Sequence, residues 1–396
     1  MKIQTIKDVD VKGKIVLLRI DINSPVVNGK ILDNPRFEAC VESIRYLIKN
    51  GARVVVIAHQ GRKRDRDFTS LEQHAKILSR YLKIKVDYVD DLFGNNARVR
   101  ILNLKPKEII MLRNVREYED EMNPKLKYNH YIEFCTLFDL YVNEAFSVSH
   151  REQGSIIIPP KHLRSVIGNE FESEINALDK FVDSKSKIFI LGGSKCEDYF
   201  PLFNFLKNKN NKLIAAGVLA NLLLIVKGYN LGYENKWLKE NGYRDLVGKL
   251  RKIYSSYKDQ IILPIDFGLC GKNDMRINSS LEEIPFKYKI YDVGTKTLQL
   301  YKENIANADY IFMKGPLGFS EIKQFSGSTV DLLKTISGLT KKKKIFSLLG
   351  GGHLNTVIKN YKIPKKFSYI SLSGGALIQY ISGEKLPGIE VLKSRV

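Results

Sequence analysis

Basic side chains recur where short apolar runs of this sequence end. The run from Ile15 leads into Asp21-Ile22-Asn23, and the run from Val54 into His59-Gln60-Gly61-Arg62. The run from Ile109 is followed by Asn114-Val115-Arg116, and the run from Leu140 by Phe146 and then His150-Arg151. Arg36 opens the first stretch with helical spacing. Guanidinium forks keep their charge and match the oxygens of phosphate or carboxylate two at a time. Arg36, Arg62, Arg116 and Arg151, brought to one cleft with His59, would therefore form an anion site, where Asp21 and Asn23 suit a substrate hydroxyl. One such arginine alone is ordinarily a solvated surface charge; the repetition at successive run ends argues for a shared task.

A second chemistry appears in the other half of the chain. KIFIL is followed by Gly192-Gly193-Ser194-Lys195, IFSLL by Gly350-Gly351-Gly352-His353, and Ser371 by Ser373-Gly374-Gly375-Ala376. Glycines between a strand and a helix let backbone N–H groups approach phosphate oxygens at the positive end of the helix. Tight strand-to-helix packing uses the same residues, so a glycine turn alone does not decide. No GxxxxGK[ST] string, GxGxxG spacing or GxSxG elbow is present, which sets aside P-loop, dinucleotide-binding and serine hydrolase chemistry. His74, His130 and His162 lack metal-ligand spacing and read as surface or packing residues. Cys40, Cys135, Cys196 and Cys270 read as core, and Trp237, in a polar stretch, as the cap of a loop.

These residues need a scaffold, and the 396 residues suffice for two domains at about 150 each. The composition, 44% hydrophobic and 27% charged, excludes a disordered or fibrous chain. A formal net charge of +21 calls for an anionic partner: nucleic acid, a membrane surface or phosphorylated small molecules. The apolar runs are continuous rather than alternating, as in strands buried on both faces of a parallel sheet, and helical patterns such as Arg36 to Lys49 and Asp331 to Leu339 lie between them. The expected architecture is α/β, two doubly wound, Rossmann-like parallel-sheet lobes. The boundary falls near residue 165, because Pro159-Pro160 stops local structure and Glu170 to Val182 reads as one amphipathic connecting helix. The longest apolar stretch, Leu213 to Val226, is broken by Asn221 and too short for the roughly 18 residues of a membrane span. The amino terminus lacks a signal-like apolar region and no CxxC occurs, so a reduced, cytoplasmic protein is expected. Lys341 to Lys344 reads as a solvated loop.

The strings VLLRIDINSPVVNGKILDNPRF, VVVIAHQGR, LRNVREYEDE, YVNEAFSVSHR, ILGGSK, KGPLGFSE, LLGGGH and SGGALIQYISGEKLPGIEVL resemble, in order and spacing, the phosphoglycerate kinase family over nearly the whole chain. The resemblance implies reversible phosphoryl transfer between 1,3-bisphosphoglycerate with ADP and 3-phosphoglycerate with ATP, in glycolysis and gluconeogenesis. It implies a 3-phosphoglycerate site at Asp21, Ile22, Asn23, Arg36, His59, Gln60, Gly61, Arg62, Arg116 and Arg151. It implies a nucleotide site at Gly193, Lys195, Lys314, Gly315, Pro316, Glu321, Gly350, Gly351, Gly352 and His353, with Glu321 accepting from the ribose hydroxyls. Arg36 and Lys195 become the catalytic cations, and Mg²⁺ arrives on the nucleotide with no protein ligand assigned. The lobes become 1–165 and 183–382, joined by a hinge helix at 166–182, with the segment 383–396 returning to the first lobe. A cytoplasmic monomer that closes around its substrates, with no nucleic acid or membrane partner, completes the expectation.

Three positions depart from the most familiar family pattern: Tyr199 where many members carry a second lysine, Lys314 where they have asparagine, and His353 where they have aspartate. Histidine at the last position is similar to the archaeal branch. Helical spacing would place Lys195 and residue 199 on one face, so Lys314 is expected to supply the cation that Tyr199 does not. The alternative is a catalytically weak protein that binds nucleotide and phosphoglycerate.

Overall fold

The computed structural model describes residues 3–393. The chain divides into two compact units, one built from residues up to Asn176 together with those from Gly383 on, the other from Ala177 to Ser382.

In the first unit, β1 (Ile15–Ile20), α1 (Pro35–Lys49), β2 (Arg53–Ile57), β3 (Asp87–Val89), β4 (Ile109–Leu112), β5 (Leu140–Glu144) and β6 (Ser165–Ile167) alternate with further helical turns. The strands form one parallel sheet in the order β3-β4-β2-β1-β5-β6. Every residue of β1 is buried, and the period of two sends Val16, Leu18 and Ile20 to one core and Ile15 and Leu17 to the other. Phe37, Val41, Ile44 and Leu47 of α1 cover the first of these cores. Connections leave β1 and β5 toward opposite edges of the sheet, which opens a crevice between their carboxyl ends.

Pro159 and Pro160, expected to break structure, instead open a helical turn, Pro159–His162, in which both prolines are buried, because a preset φ suits the first helical position. α2 (Asn169–Val182) starts against β5. The Glu144 carboxylate accepts the amides of Glu170 (3.1 Å) and Phe171 (3.2 Å) and the Ser43 hydroxyl.

The second unit carries β7 (Lys187–Leu191), β8 (Lys212–Ala215), α3 (Tyr233–Glu240), β9 (Ile261–Ile262), β10 (Asp266–Cys270), β11 (Arg276–Ser280), β12 (Lys289–Val293), β13 (Tyr310–Lys314), α4 (Gly327–Lys341), β14 (Phe346–Gly350), α5 (Gly352–Asn360), β15 (Tyr369–Ser371) and α6 (Gly375–Ile381). Its parallel sheet has the order β9-β8-β7-β13-β14-β15. The antiparallel sheet β11-β10-β12, inserted between β9 and β13, is absent from the sequence expectation. The IILPI run yields a strand of only two residues before Pro264. In this unit the crevice lies between β7 and β13.

α7 (Pro387–Lys393) belongs to the first unit, where the Gly388 amide donates to the Ser149 carbonyl at 2.8 Å. Residues 394–396 of the expected returning segment lie outside the described residues. Among the described residues, no helix is long and apolar enough to cross a membrane.

Candidate functional site

In the first unit the crevice is organised around His59. Asn34 caps α1 by accepting the Arg36 amide at 2.9 Å, with Pro35 at the first helical position, so the sequence Asn-Pro-Arg directs Arg36 to the helix entrance. There the Arg36 guanidinium donates to Asp21 Oδ2, which also accepts from the Ser147 hydroxyl. Asn114 Oδ1 accepts from the amides of Arg116 (3.1 Å) and Gln60 (3.3 Å), binding the loops after β2 and β4 to each other. Arg116 Nη1 donates to the Gly61 carbonyl at 2.6 Å, whereas its buried Nε has no partner. Asn23 Oδ1 accepts the Gly61 amide at 2.8 Å.

Behind this surface lies Arg19, which the apolar-run reading passed over. It is fully buried in β1, donates through Nε to Ser155 Oγ at 2.9 Å, and stands 4.0 Å from the buried Glu121 carboxylate. Its Nη2 lies 3.1 Å from His59 Nδ1. A guanidinium has no acceptor, so Nδ1 must accept, and the single proton of a neutral His59 sits on Nε2, 4.0 Å from Asp21 Oδ1. Burial holds the His59 pKa well below its ordinary value, and the charges of Arg19, Arg116, Arg36 and Arg151 add to that effect. Burial, followed by Arg19 and Arg151, likewise pushes Arg116 down to about 10, while burial and then Arg62 depress Arg151. A concentration of positive charge that depresses the proton affinity of His59, Arg116 and Arg151 is what an incoming anion relieves.

Asp21, Asn23, Arg36, His59, Gly61, Arg62, Arg116 and Arg151 thus gather at the carboxyl ends of β1, β2, β4 and β5. Ile22 and Gln60 are fully buried. Gln60 uses its amide inside the protein, accepting from the Ser24 amide (2.9 Å) and donating to the carbonyls of Ser24 and Asp67 (2.9 Å each), with His74 Nε2 at 3.0 Å. These two residues shape the loops.

In the second unit, β7 and β13 meet through glycine. The Gly192 amide donates to the Lys314 carbonyl (2.9 Å) and the Gly193 amide to the Pro316 carbonyl (2.8 Å). A Cβ on Gly192 would lie 2.1 Å from the Pro316 oxygen, and one on Gly315, whose φ is +78°, 2.3 Å from the Gly192 oxygen. These glycines serve the close approach of two strand ends, and the amides of Gly192 and Gly193 are already engaged. The Gly350-Gly351-Gly352 turn differs: Gly351 caps α5 at φ 99°, and a Cβ on Gly351 or Gly352 would meet open space. The opening amides of α5 therefore face open space and could donate to an anion.

Beside this junction lies a cavity of about 220 Å³ lined by Gly193, Pro316, Glu321 and His353. Its remaining walls include Trp237 of α3 and Lys289 and Tyr291 of the inserted sheet. The Lys289 ammonium stands 3.4 Å from the Trp237 ring centroid, so Trp237 is a cavity wall rather than a loop cap. Tyr291 stacks on Phe319 with centroids 4.7 Å apart. Trp237, Tyr291 and Phe319 give the cavity an aromatic lining. No motif announced them, because they come from short antiparallel strands and a polar helix.

Lys195 and Tyr199 do not share a face. The segment Cys196–Lys207 is a 3₁₀-helix, in which residues three apart align, and Tyr199 is buried with its hydroxyl donating to the carbonyls of Gly192 (2.6 Å) and Lys314 (3.3 Å). Lys195, exposed, caps that helix. Lys314 ends β13 with Nζ 3.3 Å from the Gly374 carbonyl, and burial pushes its pKa down to about 8; Asp198 opposes that shift and Lys195 adds to it. Among the described residues, no group of three or more His, Cys, Asp or Glu side chains could hold a metal ion. The carboxylate of Asp198, whose charge acts on Lys314, would suit a Mg²⁺ that keeps waters and nucleotide oxygens as its main ligands.

A family model described as phosphoglycerate kinase matches residues 6–384. The chain is 38% identical to the phosphoglycerate kinase of Archaeoglobus fulgidus over 398 residues, covering 98% of this chain and 96% of that one. It is 37% identical to the enzyme of Methanothermus fervidus, covering 99% and 97%. The crystal structure of phosphoglycerate kinase from Pyrococcus horikoshii OT3 superposes with a TM-score of 0.91 at 33% identity over 98% of both chains.

Proposed function

This chain belongs to the phosphoglycerate kinase family, and we propose that it divides the family's reaction between its units, with phosphoglycerate on the arginine cluster of the first and nucleotide in the cavity of the second. The activity is phosphoryl transfer between a nucleotide and the carboxyl group of phosphoglycerate in glycolysis; a catalytically weak binding protein is not favoured. The observation that carries the assignment is the neutral His59, whose Nε2–H and four neighbouring arginines leave an excess of donors for a small polyanion.

Arg62, Arg116, Arg151 and His59 hold the 3-phosphate, while Asp21 and Asn23 orient the hydroxyl and carboxyl end of the glycerate. Arg36, held by Asp21, stands ready to neutralise charge on the migrating phosphoryl group. Lys195, Lys314 and the first amides of α5 hold the nucleotide phosphates, and Glu321 accepts from the ribose. Mg²⁺ supplies charge neutralisation on those phosphates. Transfer needs little covalent help from the protein; it needs donor and acceptor in line and free of water, which requires the units to bring their ligands together. The four cysteines are unpaired, in keeping with a reducing cytoplasm, and a monomer suffices because every assigned residue lies on one chain.

Trp237 is the sole tryptophan and lines the nucleotide cavity, so its fluorescence tests the division of labour. ADP should change the emission of wild type and Arg151→Ala with equal affinity, while calorimetry shows 3-phosphoglycerate binding weakened in Arg151→Ala alone. A loss of ADP affinity in that variant would overturn the assignment.

A further inference from the structure

In a parallel sheet all strands begin at one edge, and in the second unit that edge faces away from the nucleotide cavity. Lys341, Lys342, Lys343 and Lys344 lie immediately before β14; Lys359 lies in the last turn of α5 and Lys362 just after it; Lys365 and Lys366 precede β15, the neighbouring strand. All eight are exposed. Among the described residues, none of them forms an ion pair with a carboxylate.

The two loops are fastened to each other. Ser337 Oγ donates to the Pro364 carbonyl at 2.7 Å, and Ser347 and Ser368 exchange amide-to-hydroxyl bonds of 3.1 and 3.0 Å. The lysines therefore share one fixed surface. Asp309, before β13, is the acidic residue at the adjoining strand. Lysine at the ends of α4 and α5 would be explained by the helix dipole, but two helix termini amount to only about one negative charge. Lys343 (φ 55°) and Lys362 (φ 50°) occupy left-handed positions after their helices, where glycine is the favoured residue.

The surface carries no arginine and no exposed large apolar side chain. Apolar anchors that enter a bilayer are thus missing, as are the planar forks that read base edges. Compact ammonium charges on a fixed surface match a row of phosphates. We propose that this edge binds the phosphate backbone of a single-stranded nucleic acid without base readout, at a surface separate from the catalytic residues. The arginines stand at the carboxyl ends of the first unit's strands, whereas these lysines stand at the amino ends of the second unit's strands.

The test measures fluorescence anisotropy of a labelled oligouridylate of about 16 nucleotides with the full chain. If four phosphates are engaged, the slope of log K against log salt is about −2.8, and raising salt from about 50 to about 200 mM weakens binding about 50-fold. The variant Lys342→Glu, Lys344→Glu, Lys365→Glu, Lys366→Glu should lose at least tenfold in affinity while kcat stays within about twofold. Lys63→Glu with Arg64→Glu, in another basic loop, should leave binding unchanged, as should saturating 3-phosphoglycerate and ATP. The proposal is overturned by no binding at low salt, by displacement with 3-phosphoglycerate, by loss in the Lys63/Arg64 variant, or by tighter binding to phosphatidylserine vesicles than to RNA. The first would leave the kinase assignment untouched.

Discussion

Replacing Lys314 by methionine should stabilise the unliganded protein and cripple its turnover. The ammonium ends a central strand, half-buried, with the Gly374 carbonyl at 3.3 Å as its hydrogen-bond acceptor and no ion pair among the described residues. Burial lowers its pKa from 10.5 to about 8. At 1.36 kcal/mol for each tenfold change in proton affinity, keeping it charged at neutral pH costs the folded state about 3 kcal/mol, reduced to about 1–3 kcal/mol by residual solvent. Because the folded pKa is the lower one, the unfolded chain holds more protons between about pH 8 and pH 10.5, and the penalty fades as pH rises through that window. Methionine keeps the packing stem and removes the charge. Its unfolding free energy, from chemical denaturation at pH 7, should rise by about 1–3 kcal/mol, with the difference from wild type shrinking as the pH rises from about 8 to 10.5. A phosphate facing the ammonium turns the same desolvated charge into a strong partner, so kcat should fall by about 10²–10³-fold. Tyr199→Lys should not rescue the variant, since that side chain points into the core. A destabilised Lys314→Met with kcat within about twofold of wild type would refute this reasoning and make Lys314 a structural residue.

Arg36→Ala should lower kcat by about 10²–10³-fold with little change in 3-phosphoglycerate affinity, whereas Arg151→Ala should chiefly raise KM; steady-state kinetics distinguish the two, and the reverse pattern would exchange their roles. Arg19→Met leaves the buried Glu121 carboxylate its hydrogen bonds from Ser155 and Tyr131 but removes its counter-ion, and should cost about 3 kcal/mol by denaturant unfolding, a loss that Glu121→Gln in the same chain should partly recover. The depressed pKa of His59 means that the unfolded chain takes up a proton near pH 6.5 which the folded site refuses, so stability falls as the pH drops below that value. His59→Gln should flatten that part of the melting-temperature profile.

The long strands were legible because β1, β2, β4, β5, β7 and β13 each carry a run of at least three consecutive apolar residues, the pattern that burial on both faces leaves. The three-residue strands β3, β6 and β15 were not, since pairing at a sheet edge asks little of so short a segment. The arginines of the first site were readable by their positions after strands. Arg19 was present in the same text: a charge inside a doubly buried strand must have partners, and its partners His59, Ser155 and Glu121 are separated from it only in sequence. The Gly192-Gly193 turn reads in sequence as either a phosphate cradle or tight packing, and in the fold both amides are engaged at the junction with β13, a distinction that depends on carbonyl positions no motif encodes. Trp237, Lys289 and Tyr291 converge through an insertion whose placement only the folded unit reveals.

The central claim is that one chain carries both halves of a phosphoryl transfer. ATP labelled in its γ-phosphate, incubated with the protein, 3-phosphoglycerate and Mg²⁺, measures that directly when the acyl phosphate product is trapped. Label should pass to 3-phosphoglycerate in wild type, pass to ADP when acyl-labelled 1,3-bisphosphoglycerate is supplied with ADP instead, and move about 10²–10³-fold more slowly in Arg36→Ala although both ligands still bind. Binding of both ligands by the wild-type protein with no label transferred in either direction would contradict the account.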